Sequence, residues 1–183
     1  MFQLSVAPGI EMRMFELSDA PIVFEAVERN RERLREWLPW VDQTHGAEDV
    51  AVFIKQVREQ FANNLGPQCG IWVDGEFRGG FGCHPIDWAN RNCSIGYWID
   101  QTHAGRGVVS RCCVAMLDYL FGLGMHRVEI RCGTGNRASC AIPERFGFQR
   151  EGIAREAQRV SGRWIDLLIW SMLEDDWRKR STA

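Results

Sequence analysis

From Ile10 to Leu17 (IEMRMFEL) apolar and polar residues alternate with period two, which predicts a β-strand. Ser18, Asp19 and Pro21 then read as a helix start: a capping residue, an acid and a proline in the first turn. Ile22, Val23, Ala26 and Val27 supply one apolar face and carry that helix to about Asn30. Leu34, Trp37, Leu38 and Trp40 crowd the proline-interrupted stretch NRERLREWLPWVD (30–42), where Pro39 ends the helical pattern near Trp37. The two tryptophans either cap the core or wall a substrate cleft. A second helix spans 47–62, with Val50, Phe53, Ile54, Val57 and Phe61 at helical spacing. The period then returns to two. Strands at 68–73 and 77–85 flank Asp74-Gly75, a hairpin turn, and a third strand runs from Cys93 to Ile99 after a polar loop.

The stretch IGYWIDQTHAGRGV (95–108) joins that strand to a turn containing Gly105 and Gly107 and then to a helix. The helix presents Val109, Cys112, Cys113, Met116, Leu117 and Leu120 on one side, and Gly122 and Gly124 stop it. An alternating strand (126–132), a short helix (136–146) and two long strands (148–160 and 164–173) joined at Ser161-Gly162 complete the pattern. The charged tail from Glu174 is expected to fray. The order is that of a mixed α/β domain in one piece, 1–183, with an ordered core at about 9–174.

Composition narrows the classes. A chain of 183 residues suits one domain with a substantial core. A net charge of −2 speaks against direct nucleic-acid or membrane binding, although basic residues gather at 29–35 and 145–163. Seven cysteines without a CxxC spacing imply no metal site and no disulfide framework, so a reduced, cytoplasmic protein is expected. The N-terminus has no signal-peptide pattern, and no apolar run reaches the ~18 residues of a membrane span.

A strand feeding a glycine turn into a helix leaves backbone N–H groups unpaired at the positive end of the helix dipole. That makes 102–108 an anion site. Neither GxGxxG nor GxxxxGK[ST] occurs, and the three preceding strands form a meander rather than βαβ units. Thr102-His103-Ala104-Gly105-Arg106-Gly107 is similar to the Q/R-x-x-G-x-G/A pyrophosphate loop of the GNAT superfamily of acetyl-CoA-dependent N-acyltransferases, with Thr102 in place of Gln or Arg. NRASCAIPERFGFQREG (136–152) resembles that family's N-x-x-S…GF-x-x-EG segment. Together with NRERLREWLPWVD and IGYWID, these motifs most resemble the RimJ/RimL branch, the ribosomal-protein N-terminal acetyltransferases.

The resemblance implies a single GNAT-type domain of α/β (α+β) class, with antiparallel N-terminal strands, a splayed parallel central pair and a C-terminal hairpin. It implies acetyl-CoA as cosubstrate, no metal, and direct transfer to an amine. Main-chain N–H groups of His103, Gly105, Arg106, Gly107 and Val108 would cradle the pyrophosphate, with Arg106 and Arg111 either adding contacts or simply solvated. The strand carrying Tyr97, Trp98 and Ile99 would bond the pantetheine arm and the thioester carbonyl. Asn136 would cap its helix, contact coenzyme A, or both. Ser139 would protonate the leaving thiolate, or else bond its own backbone. Pro143 has no N–H, so the Ser139 carbonyl is expected to lack its i+4 donor.

The position of the branch's glutamate base aligns with Gln158, which cannot act as a base. Glu156, two residues earlier and on the same face of a regular strand, is one substitute. His84 is another, unless it is structural; Glu25 and Glu36 would serve a cleft along the N-terminal helices. The expected acceptor is a protein N-terminal α-amine. The alternatives are a small amine (a polyamine, amino acid or antibiotic) and an acyl-CoA-binding module with little catalysis. The strands after 148 could also build a homo-oligomer contact.

Overall fold

The structure, a computed structural model, describes residues 2–181. Its strands are β1 Gln3–Ala7, β2 Ile10–Met14, β3 Gln68–Val73, β4 Glu76–Cys83, β5 Asn92–Ile99, β6 Arg127–Gly133, β7 Gln149–Val160 and β8 Arg163–Leu173. They form one sheet in the order β1-β2-β3-β4-β5-β6-β8-β7. Only β5 and β6 pair in parallel; the other neighbours are antiparallel. The helices are α1 Ala20–Leu34, α2 Ala47–Ala62, α3 Val108–Gly122, α4 Arg137–Arg145 and α5 Glu174–Ser181.

Period two along the central strands assigns the two faces of the sheet. Ile95 and Ile99 join Cys112, Cys113 and Met116 of α3 and Cys140 and Ile142 of α4 in the larger core. Trp98, between them in sequence, points the other way, toward Phe77, Trp72 and the apolar faces of α1 and α2. The mixed sheet, the parallel central pair and the C-terminal hairpin are as expected from the sequence. All seven cysteines are buried and free, and no helix among the described residues is long and apolar enough to cross a membrane.

Both ends extend beyond the expected 9–174 core. Gln3–Ala7 pairs with β2 through a turn in which Gly9 takes φ +73°, and Phe2 packs its ring on Phe61 and Tyr119. Helix α1 continues past Asn30 to Leu34, which is buried. The tail expected to fray is instead helix α5. Its first turn holds Glu174, Asp175 and Asp176 and its last turn Arg178, Lys179 and Arg180, the arrangement that suits the helix dipole. Trp177 is 6% exposed, lies between the rings of Phe121 and Phe146, and donates its indole N–H to Asp118 at 2.7 Å. One buried tryptophan outweighs the polar composition that suggested disorder. Replacing it (Trp177→Ala) is expected to cost about 3 kcal/mol of stability, read as a lower urea midpoint. A loss under about 0.5 kcal/mol, the level of a surface change, would show that α5 is not part of the packed core.

Candidate active site

The register of β5 creates the site. Asp100 donates to the Arg78 carbonyl and His84 to the Ser94 carbonyl, so the even-numbered residues of β5 bond to β4. Tyr97 and Ile99 therefore turn their N–H and C=O groups toward β6. Parallel pairing with β6 ends at Ile95 and Ile130, and beyond it the strands part. The Ile99 carbonyl is taken by the Arg33 guanidinium from α1. The Tyr97 N–H and C=O and the Ile99 N–H face the slot. Trp98 corrects one expectation: its backbone sits in the ladder opposite Gly80, so period two removes it from the strand's free groups.

Gly105 and Gly107 both adopt φ +73°, a conformation side chains disfavour, and a Cβ on Gly105 would meet nothing within 4 Å. The first bond of α3 runs from Arg111 to the Gly107 carbonyl. The N–H groups of Gly105, Arg106, Gly107, Val108, Val109 and Ser110 thus have no protein acceptor among the described residues, and they form an anion nest at a helix N-terminus. His103 does not contribute its N–H, because that group closes a 3-10 turn on the Asp100 carbonyl at 2.9 Å. Arg106 and Arg111 are exposed beside the nest. Arg145 comes from the end of α4 and donates to Ser110 Oγ at 2.8 Å, a neighbour of the nest that sequence spacing did not indicate.

Helix α4 starts where β6 ends. Asn136 is its cap, with Oδ1 accepting from the Ser139 N–H at 3.1 Å. The Ser139 hydroxyl is half-buried beside the Cys132 thiol and makes no hydrogen bond to its own backbone. The carbonyl that Pro143 leaves without an i+4 donor is not free: Tyr97 Oη donates to it at 3.1 Å, tying β5 to α4 across the slot. Burial pushes the Tyr97 phenol well above its ordinary pKa, so it remains a donor. Cys132 and Cys140 meet with sulfurs 3.1 Å apart, and burial first and then this contact raise the Cys132 thiol to about 12. A thiol so protonated is a poor nucleophile.

The opposite face of the sheet shows what became of the remaining candidates. Trp37 lies over the end of β6, and a Cβ on Gly133 would come within 2.8 Å of its ring. Trp40 packs on Trp98 of β5, centroids 6.3 Å apart. The two tryptophans thus stand over the two strands that part. His84 is exposed, and its Nε2 is 3.5 Å from where a Cβ on Gly96 would be, on the same side of the sheet. Partial burial by the sheet, and then the Arg131 charge, hold its pKa below the ordinary 6.5. The imidazole is neutral at neutral pH.

The premise for Glu156 does not hold. Strand β7 is bulged between Ala154 and Gln158, so three residues face Asp166 alone. Glu156 sits there at φ +48°, exposed, its N–H donated to Asp166 at 2.8 Å. Alternation therefore does not carry it to the face of Gln158. Gln158 itself donates to the Trp37 carbonyl at 3.4 Å and helps hold that tryptophan.

Sequence reading missed the group that joins these parts. Asp100 is 2% exposed and accepts from Arg29 (2.9 and 3.2 Å), Asn30 (3.1 Å) and the Thr102 N–H (2.9 Å) and hydroxyl (2.7 Å). Burial alone would raise its pKa; the hydrogen bonds from Thr102, Arg29 and Asn30 outweigh it and hold the carboxyl far below the usual range. Thr102, where the motif has Gln or Arg, thus serves the loop's internal bonding. The signal was present as a buried-looking Asn30 on the apolar face of α1, but its partner lies 70 residues on.

Residues 10–149 match the Acetyltransferase (GNAT) domain model. The chain is 35% identical to YdaF of Bacillus subtilis (strain 168), provisionally named a ribosomal N-acetyltransferase, over 97% of this chain and 98% of that one. It is 21% identical to the ribosomal-protein-serine acetyltransferase of Escherichia coli (strain K12), over 94% and 97%. A crystal structure described as a probable acetyltransferase superposes with a TM-score of 0.90 at 35% identity, covering 97% of this chain and 99% of that one. RimL, the ribosomal L7/L12 α-N-protein acetyltransferase in complex with coenzyme A, has the same fold, with a TM-score of 0.92 at 23% identity and 96% and 99% coverage.

The Tyr97–Ser139 bond makes a prediction that involves Pro143. Tyr97→Phe orphans a half-buried carbonyl and is expected to cost about 1–3 kcal/mol. In a Pro143→Ala background the new N–H can serve the same carbonyl, so the cost should shrink by at least about 0.5 kcal/mol in a double-mutant cycle of urea unfolding. Strict additivity would mean that the tyrosine hydroxyl is not the carbonyl's partner.

Proposed function

Because this chain belongs to the GNAT acetyltransferase family, we propose that it transfers acetyl from acetyl-CoA directly to a primary amine, a protein N-terminal α-amino group of the ribosomal-protein type. The observation that carries this reading is the parting of β5 from β6, which leaves Tyr97 and Ile99 donors free on the strand that leads directly into six unpaired N–H groups. The nest suits a pyrophosphate, since Gly105 offers no Cβ to obstruct it and Arg106, Arg111 and Arg145 supply positive charge. The slot suits a pantetheine arm, whose amides can complete the ladder that β6 abandons. The relatives matched over nearly their whole length are named for ribosomal proteins, which favours a protein acceptor over a small amine or a non-catalytic module.

The roles follow from geometry and proton affinity. Preorganised main-chain donors of Tyr97 and Ile99 would stabilise charge on the thioester oxygen. The Ser139 hydroxyl, free of backbone bonds, would relay a proton to the departing thiolate, whose pKa resembles a cysteine at ~8.5, taking one from water in the same step so that no alkoxide is left. A peptide α-amine has a pKa near ~7.7–8, so part of it arrives neutral. His84, neutral and on the face where Trp37 and Trp40 stand, would take the proton released as the amine attacks, directly or through water. Its lowered pKa keeps it a neutral base at pH values where an ordinary histidine is already partly charged, and it protonates only in more acid solution.

Release of coenzyme A thiol, measured with a panel of N-terminal peptides and small amines, tests the reading as a whole; no turnover on any amine would overturn it. His84→Gln is expected to lower kcat by about 10²-fold and to remove the acid fall in kcat that protonation of His84 imposes, a fall that sets in at lower pH than for an ordinary histidine. An unchanged profile would assign the base elsewhere. Gly107→Glu, which places a carboxylate and a strained φ in the nest, should abolish coenzyme A binding by calorimetry while leaving the fold intact by circular dichroism.

A further inference from the structure

Several arginines of this chain meet carboxylates, among them Arg13 with Asp19, Arg29 with Asp100, Arg35 with Asp42, and Arg127 and Arg131 with Glu129; Arg33, Arg58 and Arg145 bond neutral oxygens instead. The β7–β8 hairpin carries four that meet no carboxylate. Arg150, Arg155, Arg159 and Arg163 are all exposed, and none lies within ion-pair distance of a carboxylate among the described residues. Of the glutamates on β7, Glu151 is already engaged by Arg127 and Ser171. These four arginines share the hairpin with Glu156 and Asp166, which face each other at the bulge, so the free positive charge is greatest toward the turn, at Arg159 and Arg163. Large apolar side chains accompany it: Trp164 is 59% and Ile153 49% exposed. Trp164 pairs directly with Arg159, so the two share one face of the hairpin.

The hairpin's end is anchored at the mouth of the acceptor face. Ser161 Oγ donates to the Arg35 carbonyl (3.0 Å) and to Asp42 (2.9 Å), Arg163 donates to the Glu36 carbonyl (3.1 Å), and Gln158 to that of Trp37. A chain leaving the cleft between Trp37 and Trp40 meets this hairpin next. Because β7 is the outermost strand of the sheet, its far side is open.

We propose that the β7–β8 hairpin is a docking surface for an acidic, extended segment of the acceptor protein, downstream of the N-terminal residue that is acetylated. Carboxylates of that segment take Arg155 and Arg159, and an apolar side chain covers Trp164. The proposal rests on the protein-acceptor reading above and narrows it to acceptors with acidic residues after their N-terminus. A second copy of the chain fits less well, because two-fold pairing about Ala157 sets Arg155 of one copy against Arg159 of the other. An RNA partner fits less well, because Glu151, Glu156 and Asp166 interrupt the arginines along the hairpin and no continuous basic track results. Arginine on an edge strand also guards against strand pairing; that role alone does not call for an exposed tryptophan beside it.

The test uses the full chain, wild type and Arg155→Glu/Arg159→Glu, and three peptides with the same first three residues followed by acidic, neutral or basic residues. Wild type should show a KM at least tenfold lower for the acidic peptide than for the neutral one, rising with salt. The double variant should lose that preference with kcat unchanged, and both proteins should acetylate a tripeptide equally. Equal KM values for the three peptides with wild type, or a preference that survives in the variant, would overturn the proposal. Fluorescence anisotropy of a labelled acidic peptide reads docking without turnover, so an inactive protein that still binds it through these arginines refutes the enzyme reading and not the surface. Tighter binding of a single-stranded RNA that displaces the peptide, or a wild-type dimer that the double variant dissolves in sedimentation, would assign the surface to those partners and overturn the proposal.

Discussion

Strands β5 and β6 pair in parallel only from Asn92 and Arg127 to Ile95 and Ile130, and the rest of the site depends on that early parting. Unpaired backbone inside a packed protein is costly unless each group finds a partner. Here the Ile99 carbonyl is met by Arg33, while the groups of Tyr97 and the Ile99 N–H are left facing a slot. Helices α3 and α4 both begin at the parted ends, so the nest before Val108 and the capped first turn at Asn136 open onto the same gap. Tyr97 bridges the gap at one point, from β5 to the Ser139 carbonyl, and fixes how far α4 stands from the strand. A continuous parallel ladder would have satisfied these groups and left no slot between the strands.

A second constraint links the two sides of the sheet. Asp100 follows β5 directly and gathers donors from α1 and from the loop before the nest into one buried, ionised hub. The depressed pKa means that its stabilisation is present above the unfolded value of about 3.9 and is lost as pH falls through the folded one. Because α1 runs on into Trp37 and Trp40, the hub ties that tryptophan pair to the loop before the nest. The two faces of the sheet therefore share one anchor, and the hairpin at Ser161 adds another from the opposite edge.

Most elements were legible because their signals are local. Hydrophobic period separated the 47–62 helix from the strands around Asp74-Gly75, and glycine spacing located the nest. Prediction failed where a distant partner decided the outcome. Trp177 turns a charged tail into a helix because Phe121 and Phe146 receive it. Glu156 left the expected face because β7 has a bulge that no residue in 154–158 announces. His103 looks like a ligand contact in the motif and proves to be bonded to Asp100, as does Thr102, which departs from the motif.

The sequence by itself determined most of the helices and strands between 10 and 173, the anion nest at Gly105–Val108, and the carbonyl at Ser139 that Pro143 deprives of a donor. Each of these depends on residues within one turn or one strand of each other. Tertiary structure alone decided which backbone groups of 97–99 are free, that Tyr97 answers the Ser139 carbonyl, and that Trp37, Trp40 and His84 share one face. Strand register, the end of a ladder and the pairing of side chains across the sheet are set by contacts between segments far apart in the chain. No local pattern encodes them.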